Sequence, residues 1–338
     1  MIPIQNIYYM LSYAFQVLNE QGYKNIATEQ FNNTGELMAA ILEKGIAIQL
    51  KRGLGKEYIL QTEALSSLRG KIDIAESIKT QSMLRKQLIC TYDEFSVNSI
   101  MNRIIKSTVE LLLRSNISKQ RKKNLRKLMV YFSEVDFIDL YTVNWNVQYN
   151  RNNQTYHMLI SICYLVVKGL LQTQSNGHTE LMDFLDEQRM CRLYEKFILE
   201  YYRKEFKNQF TANASQIPWQ LDNEENSMLP VMQSDIMLQS GEKVLIIDAK
   251  YYEHSTQVQF DKHTLHSGNL YQIFTYVKNK EYELREKDHT VSGMLLYAKT
   301  DEEIYPNNVY QMSGNQITVR TLDLNLPFDE IAGQLNTI

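Results

Sequence analysis

Cysteine is scarce in this chain. Cys90, Cys163 and Cys191 are the only three among 338 residues, and no pair has Cys-x-x-Cys spacing. That excludes a disulfide framework and the usual thiolate zinc site, and it fits a reducing, cytoplasmic setting. Charge of one sign is also lacking, the formal net charge being −3. Any nucleic-acid contact must therefore come from local basic patches, not from a polycationic chain. Long hydrophobic runs are missing too. The longest, from Met158 to Val167, is interrupted by Ser161 and stops at Lys168. It is too short to span a bilayer and reads as a buried helix, so no membrane role is expected. The start, Met1-Ile2-Pro3-Ile4-Gln5-Asn6, has neither the basic region nor the cleavage site of a signal peptide. Gly53-Leu54-Gly55-Lys56 lacks the full spacing of a phosphate-binding Walker loop, so the chain is not expected to bind nucleotide itself.

What is present is ample apolar residue, 44% of the chain, and a length that suggests about two domains. Helical periodicity marks residues 3–20, 34–50, 98–113 and 117–131, with short alternating strands at 57–63 and 70–74. Ile100, Ile104, Ile105, Val109 and Leu112 form the inward face of the third helix. The polar run at 150–154 is the candidate boundary, giving domains 1–155 and 156–338. Helices follow at 156–172 and 187–206, with a loop at 173–179 between them. Strands are then expected at 228–238, 244–250, 291–298, 308–312 and 317–321, with a helix at 268–278. The order helix, strand, strand, helix, strand makes the second half an α/β fold, behind a mixed α+β first half. Tyrosine is plentiful at 22 residues, which suits interfaces and cores alike.

The most informative stretch is Val244-Leu245-Ile246-Ile247-Asp248-Ala249-Lys250. Four branched apolar residues read as a buried strand, and residues two apart on a strand share a face. Asp248 and Lys250 should therefore project together from its end, where buried charge needs a reason. Asp235 lies just upstream, across an expected hairpin turn at Gln239-Ser240-Gly241-Glu242. Asp235 and Asp248, with the backbone carbonyl of Ala249, offer oxygen ligands for a hard cation such as Mg²⁺, for which Mn²⁺ could substitute. Such a site polarises a phosphate and activates a water. Lys250 would orient that water or balance charge on phosphorus. Glu195 would hold the water or add a ligand from a helix, and Gln272 would position the phosphate. Glu195 also reads as a solvated helix glutamate, and Gln272 as an ordinary helix-face amide.

The order helix-Glu195, strand-Asp235, strand Asp248-Ala249-Lys250 and helix-Gln272 resembles the PD-(D/E)xK nuclease superfamily. Ser234 stands where that signature has proline, and Pro230 lies further upstream. Along nearly its whole length the chain resembles the McrC family, the nuclease subunit of modification-dependent restriction systems. The stretches that carry the resemblance run from Ile2 to Leu11, Leu68 to Asp73, Asp93 to Asn102, Leu193 to Phe197 and Ile246 to Tyr252. The resemblance implies a restriction-endonuclease-like C-terminal domain that cuts DNA. It also implies an N-terminal domain that docks on an McrB-like AAA+ GTPase motor and stimulates it, with oligomers formed through that motor. A non-catalytic adaptor for the motor and a stand-alone nuclease are the competing readings.

Two basic groups stand apart from this set. Residues 118–127 form a dense positive run, either a solvated helix face or a surface that meets DNA phosphates or an acidic partner. Lys51, Arg52, Lys56, Arg69 and Lys71 are either surface charges or a finger that enters the partner's channel. His254, His263 and His266 lack zinc-ligand spacing and read as loop histidines, with phosphate contact as the functional alternative.

Overall fold

A computed structural model describes residues 2–19, 23, 26, 29–149, 153–175, 187–222, 228–252, 257–259, 262–299 and 305–338. In chain order, α1 (Ile4–Ala14) and α2 (Thr34–Arg52) precede β1 (Glu57–Leu65), β2 (Lys71–Asp73), α3 (Ile74–Lys79) and β3 (Leu88–Ser96). Next come α4 (Ile100–Arg114), α5 (Lys119–Met129), α6 (Gln154–Ser175) and α7 (Glu187–Glu205). Short strands β4 (Thr211–Asn213), β5 (Gln216–Ile217) and β6 (Met232–Gln233) lead to β7 (Ile236–Ser240) and β8 (Lys243–Lys250). The chain closes with β9 (Gln257–Gln259), β10 (Lys262–Thr264), α8 (Ser267–Glu283), β11 (Thr290–Ala298), β12 (Asn308–Met312), β13 (Asn315–Leu322) and α9 (Phe328–Asn336).

The chain divides into two compact units, Met1–Phe31 with Phe184–Ile338, and Asn32–Asp183. This differs from a single boundary near 155, and packing explains the difference. The α6 side chains Tyr156, Leu159, Ile162, Cys163 and Val166 are buried, and the helix packs on α2 and α4. It therefore belongs with the preceding helices despite the polar break before it, whose residues 150–152 lie outside the described residues. At the other end, α1 packs on α7 and joins the C-terminal unit. The helix expected over 3–20 ends at Ala14 and resumes as a 3-10 turn, Gln16–Asn19. The loop expected at 173–179 falls partly on α6, and its remainder lies outside the described residues.

The Asn32–Asp183 unit sets α2, α4, α5 and α6 with an antiparallel sheet of order β1-β3-β2, and α3 lies between β2 and β3 in the chain. α2 starts at an Asn33 cap whose side chain accepts from the Glu36 amide at 2.8 Å. On α4, Ile104, Ile105, Val109 and Leu112 are all buried, as their spacing requires. Asn102 is fully buried and explains its own presence. Its Nδ2 donates to the carbonyls of Gly55 and Val97, and its Oδ1 accepts from the Tyr156 hydroxyl at 2.8 Å. That hydroxyl in turn accepts from the Gly55 amide at 2.7 Å. One satisfied polar network thus ties the loop after α2 to α4 and α6.

The other unit is built on a six-stranded mixed sheet of order β12-β13-β11-β8-β7-β4. β8 and β11 are parallel and joined through α8, a βαβ crossover. β7 and β8 form the expected hairpin, closed at Ser240 and Lys243 around Gly241, whose φ of +57° suits glycine. β8 is buried on both faces, which is why it reads as an unbroken apolar run. α8 packs Ile273 and Val277 against the face carrying Val244 and Ile246, and α7 also packs on β8 and β7. The strand expected over 228–238 is broken. β6 pairs with β5, β7 pairs with β8, and Ser234 and Asp235 form the bend between them.

Gly293 on β11 is where α8 comes closest. A Cβ there would sit 2.8 Å from both Ile273 Cγ1 and Val277 Cγ2, and 2.9 Å from Ile317 Cδ1. Gly293→Ala should therefore destabilise the protein by about 1–3 kcal/mol through overpacking, read as a lower urea midpoint with unchanged slope.

Candidate active site

The chemistry-bearing side chains gather where β8 ends and β7 begins. The β7–β8 ladder runs to Ile236 opposite Ile247, so one step further Asp235 faces Asp248. Asp235 is not inside a strand, as expected from sequence, but at the bend. Released from the ladder, its carboxylate turns back and Oδ2 accepts from the Ala249 amide at 2.9 Å. An extended residue presents its N–H and C=O to the same edge. The Ala249 carbonyl thus faces the edge that Asp235 occupies.

Asp248 is 1% exposed. The Lys250 ammonium lies 2.8 Å from its Oδ2, but off the axis of a hydrogen bond. Neither carboxylate oxygen of Asp248 has an aligned donor among the described residues. Lys250 continues to Gln272 on α8, donating to Oε1 at 3.3 Å. Because an ammonium only donates, it sets Oε1 toward the lysine, which leaves Gln272 Nε2 to donate to the Tyr276 hydroxyl at 2.9 Å. A second set lies alongside: Tyr252 donates to Asn269 Oδ1 at 3.3 Å, and Asn269 Nδ2 donates to the Tyr297 hydroxyl at 2.9 Å.

Burial pushes the Asp235 carboxyl up from 3.8 to about 8, with the charges of Asp248 and Glu195 adding to the effect. Lys250 and the Ala249 amide work the other way without prevailing. Asp248 is also raised by burial, against the pull of Lys250. Burial opposes the Lys250 charge, but Asp248 and Asp235 outweigh it and hold the ammonium's pKa above its usual value. Glu195, half-buried on α7, is close enough for its charge to register at Asp235, and its Oε1 accepts from the Cys191 thiol at 3.0 Å.

The structure thus brings together Asp235, Asp248, Lys250 and Gln272, with Glu195 at their border. Sequence reasoning missed Cys191, four residues before Glu195 on one helix face, and Tyr276, four after Gln272. The i, i+4 spacing was the available signal in both cases. Among the described residues no three His, Cys, Asp or Glu side chains gather as a metal cage. Two carboxylates suffice for Mg²⁺, which keeps several waters and relies on substrate phosphate for further ligands. Two buried, crowded carboxyls whose joint ionisation a cation would favour fit a hard divalent ion.

The remaining candidates lie elsewhere. Arg121 turns inward to Glu43 at 2.8 Å and Glu36 at 3.5 Å, so the basic helix is partly structural. Lys51 and Arg52 end α2 exposed, Lys56 lies over the Phe95 ring, Arg69 lies over the Tyr92 ring, and Lys71 is exposed on β2. His254 and the side chain of His263 lie outside the described residues, and His266 is the residue before α8, its ring 5.4 Å from that of Tyr252. No helix among the described residues is long and apolar enough to cross a membrane.

Comparison with known proteins places this geometry in context. Residues 5–298 match the family model described as McrBC 5-methylcytosine restriction system component. The chain is 30% identical over 329 residues to the Type IV methyl-directed restriction enzyme EcoKMcrBC of Escherichia coli (strain K12), covering 96% of this chain and 93% of that protein. It also resembles a chain in the tetradecameric assembly of Thermococcus gammatolerans McrB AAA+ hexamers with bound McrC. There the identity is 18% and the TM-score 0.49, over 99% of this chain and 76% of that one. A chain of the Thermococcus gammatolerans McrBC complex is 21% identical with a TM-score of 0.41, over 60% of this chain and 59% of that one.

The raised Asp235 carboxyl makes a stability prediction. The folded protein holds this proton more tightly than the unfolded chain does, about 8 against 3.8. Its contribution is therefore full below the unfolded value and is lost as pH rises through about 8. Metal-free protein should lose thermal stability over that range, and Asp235→Asn should flatten the loss, raising Tm at alkaline pH. Parallel Tm–pH curves for the two proteins would contradict the assignment.

Proposed function

From the premise that the chain belongs to the McrBC 5-methylcytosine restriction family, we propose that it is the DNA-cutting subunit of such a system. The observation that carries this is the convergence of Asp235, Asp248 and Lys250 at the end of one buried strand. The reaction is phosphodiester hydrolysis by in-line attack of water. Asp235 and Asp248, with the Ala249 carbonyl, would hold one divalent cation, Mg²⁺ or Mn²⁺. When bound there, the cation supplies Lewis acidity toward phosphate and lowers the pKa of water.

The chain's own residues do the rest. Lys250, kept charged by its two acids, faces the negative charge that builds on phosphorus. Gln272, clamped by Tyr276, fixes the lysine and one side of the phosphate. Glu195 holds the attacking water from the helix side, or serves as an added ligand. The Ala249 amide keeps Asp235 aimed at the site.

The Asn32–Asp183 unit takes the docking role. Its small sheet and the segment between α3 and β3 leave large apolar side chains in solvent, among them Tyr58 at 75% exposure and Leu84 at 82%. Contiguous exposed apolar surface is characteristic of interaction sites. The partner is an McrB-like AAA+ GTPase motor, the restriction component that the chain's likeness implies. Docking stimulates the motor, and the chain oligomerises through it.

The test is reconstitution with that motor. Asp248→Ala should lower Mg²⁺-dependent DNA cleavage by at least about a hundredfold. It should leave motor binding and stimulated GTP hydrolysis intact, because Asp248 belongs to the other unit. Cleavage that survives would remove Asp248 from the mechanism. Stimulation without cutting by the unaltered protein under any divalent metal would favour an adaptor role. Cutting that needs no motor would favour a stand-alone nuclease.

A further inference from the structure

Helix α5 carries a charge pattern that the catalytic site does not use. No acid occurs between Glu110 and Glu134, and Arg114, Lys119, Arg121, Lys122, Lys123, Arg126 and Lys127 fall in that interval. At 100° per residue, Lys119, Lys122, Lys123, Arg126 and Lys127 share one side of the helix. Arg121, Asn124, Leu125 and Leu128 fall on the opposite side. The structure anchors that opposite side firmly. Leu125 is fully buried, and Arg121 and Asn124 both reach Glu43 of α2. The Ser118 hydroxyl and amide both donate to Glu36. With the helix so fixed, the cationic side is held toward solvent. Lys119, Lys123, Arg126 and Lys127 are exposed, and none of the five has an ion pair among the described residues.

We propose that this stripe binds the phosphate backbone of duplex DNA, outside the catalytic unit and without reading sequence. Three features favour phosphate over an acidic protein face. The charges are dominated by lysine, which protein interfaces deplete and phosphate contacts use. Between Lys119 and Lys127 no large apolar side chain stands in solvent to seed a dry interface core, and the exposed Val130 and Tyr131 lie past the C-terminal end of the stripe. From Lys119 to Lys127 the stripe extends about 12 Å along the helix, so it can meet several phosphates at once. In a chain whose net charge is −3, the interval between Glu110 and Glu134 holds seven of the 36 lysines and arginines and no acid to offset them. The stripe holds DNA on the Asn32–Asp183 unit while cleavage belongs to the other. The proposal draws on the nuclease reading only for the identity of the occupant.

The experiment is equilibrium binding of the full chain, in chelator, to a short fluorescently labelled duplex of random sequence across a salt series. Chelation prevents cutting and makes the readout independent of Asp235 and Asp248. The variant with Lys119→Gln, Lys123→Gln, Arg126→Gln and Lys127→Gln should bind at least about tenfold more weakly. Its log K against log salt plot should flatten by up to about 3.6, at about 0.9 for each phosphate that is no longer neutralised. The pair Lys119→Gln and Lys123→Gln alone should give about half of that change. These side chains are in solvent, so thermal unfolding should be unaltered and will separate weakened binding from impaired folding. An unchanged salt slope overturns the proposal, and does so decisively if motor binding falls instead, which would assign the stripe to an acidic protein face. An unaltered protein that binds with this α5-dependent slope yet cuts no DNA when reconstituted with motor and divalent metal would count against the nuclease reading alone.

Discussion

Two carboxylates forced together beneath a sheet, with one ammonium to balance them, are the constraint on which the C-terminal unit depends. Asp248 sits where a parallel strand pair and α8 exclude water, and its oxygens have no aligned donor among the described residues. Asp235 is brought opposite it by hairpin register and held there by the Ala249 amide. Such crowding costs stability in the free protein and would be relieved by a cation. The surrounding fold is consistent with that purpose. Gly293 lets α8 approach the sheet closely, and α8 in turn delivers Gln272 to Lys250.

The site was legible in sequence because its signals are local. A branched apolar run followed by alternating charges identifies a buried strand with a polar end, and Gly241 marks the turn that sets the register. The bend at Asp235 was not legible, since residues 228–238 are apolar enough to read as one strand. The break is imposed by β5, which captures β6 while β8 captures β7. β3 was missed for a similar reason. Asp93 and Glu94 interrupt its apolar pattern, and its strand character comes from pairing with β1 and β2 on its two edges. α9 was missed although Asp329 and Glu330 in its first turn and buried Ile331 and Leu335 carried a signal. The unit boundary was misplaced because a polar run marks a loop, whereas membership of a core is decided by which apolar faces meet.

Placement of function follows the same physics. The catalytic candidates rise from a sheet whose strands are covered on both faces, which gives them fixed positions. The Asn32–Asp183 unit instead keeps exposed apolar side chains on its small sheet and a solvent-facing basic stripe on α5. Arg121 shows why a run of like charge needs a structure to interpret it. One cation in the run is internal glue to Glu36 and Glu43, and that glue is what orients the others outward.

The central claim is that Asp235 and Asp248 share one divalent cation. Calorimetric titration of the metal-free protein with Mn²⁺, in buffers of different ionisation enthalpy, tests it most directly. The account predicts one saturable site that releases about one proton per cation near neutral pH, because the raised Asp235 carboxyl must ionise to bind. Both heat and proton release should vanish in Asp235→Asn and in Asp248→Asn. Saturable binding that persists unchanged in these variants, or no binding by the unaltered protein, would contradict it.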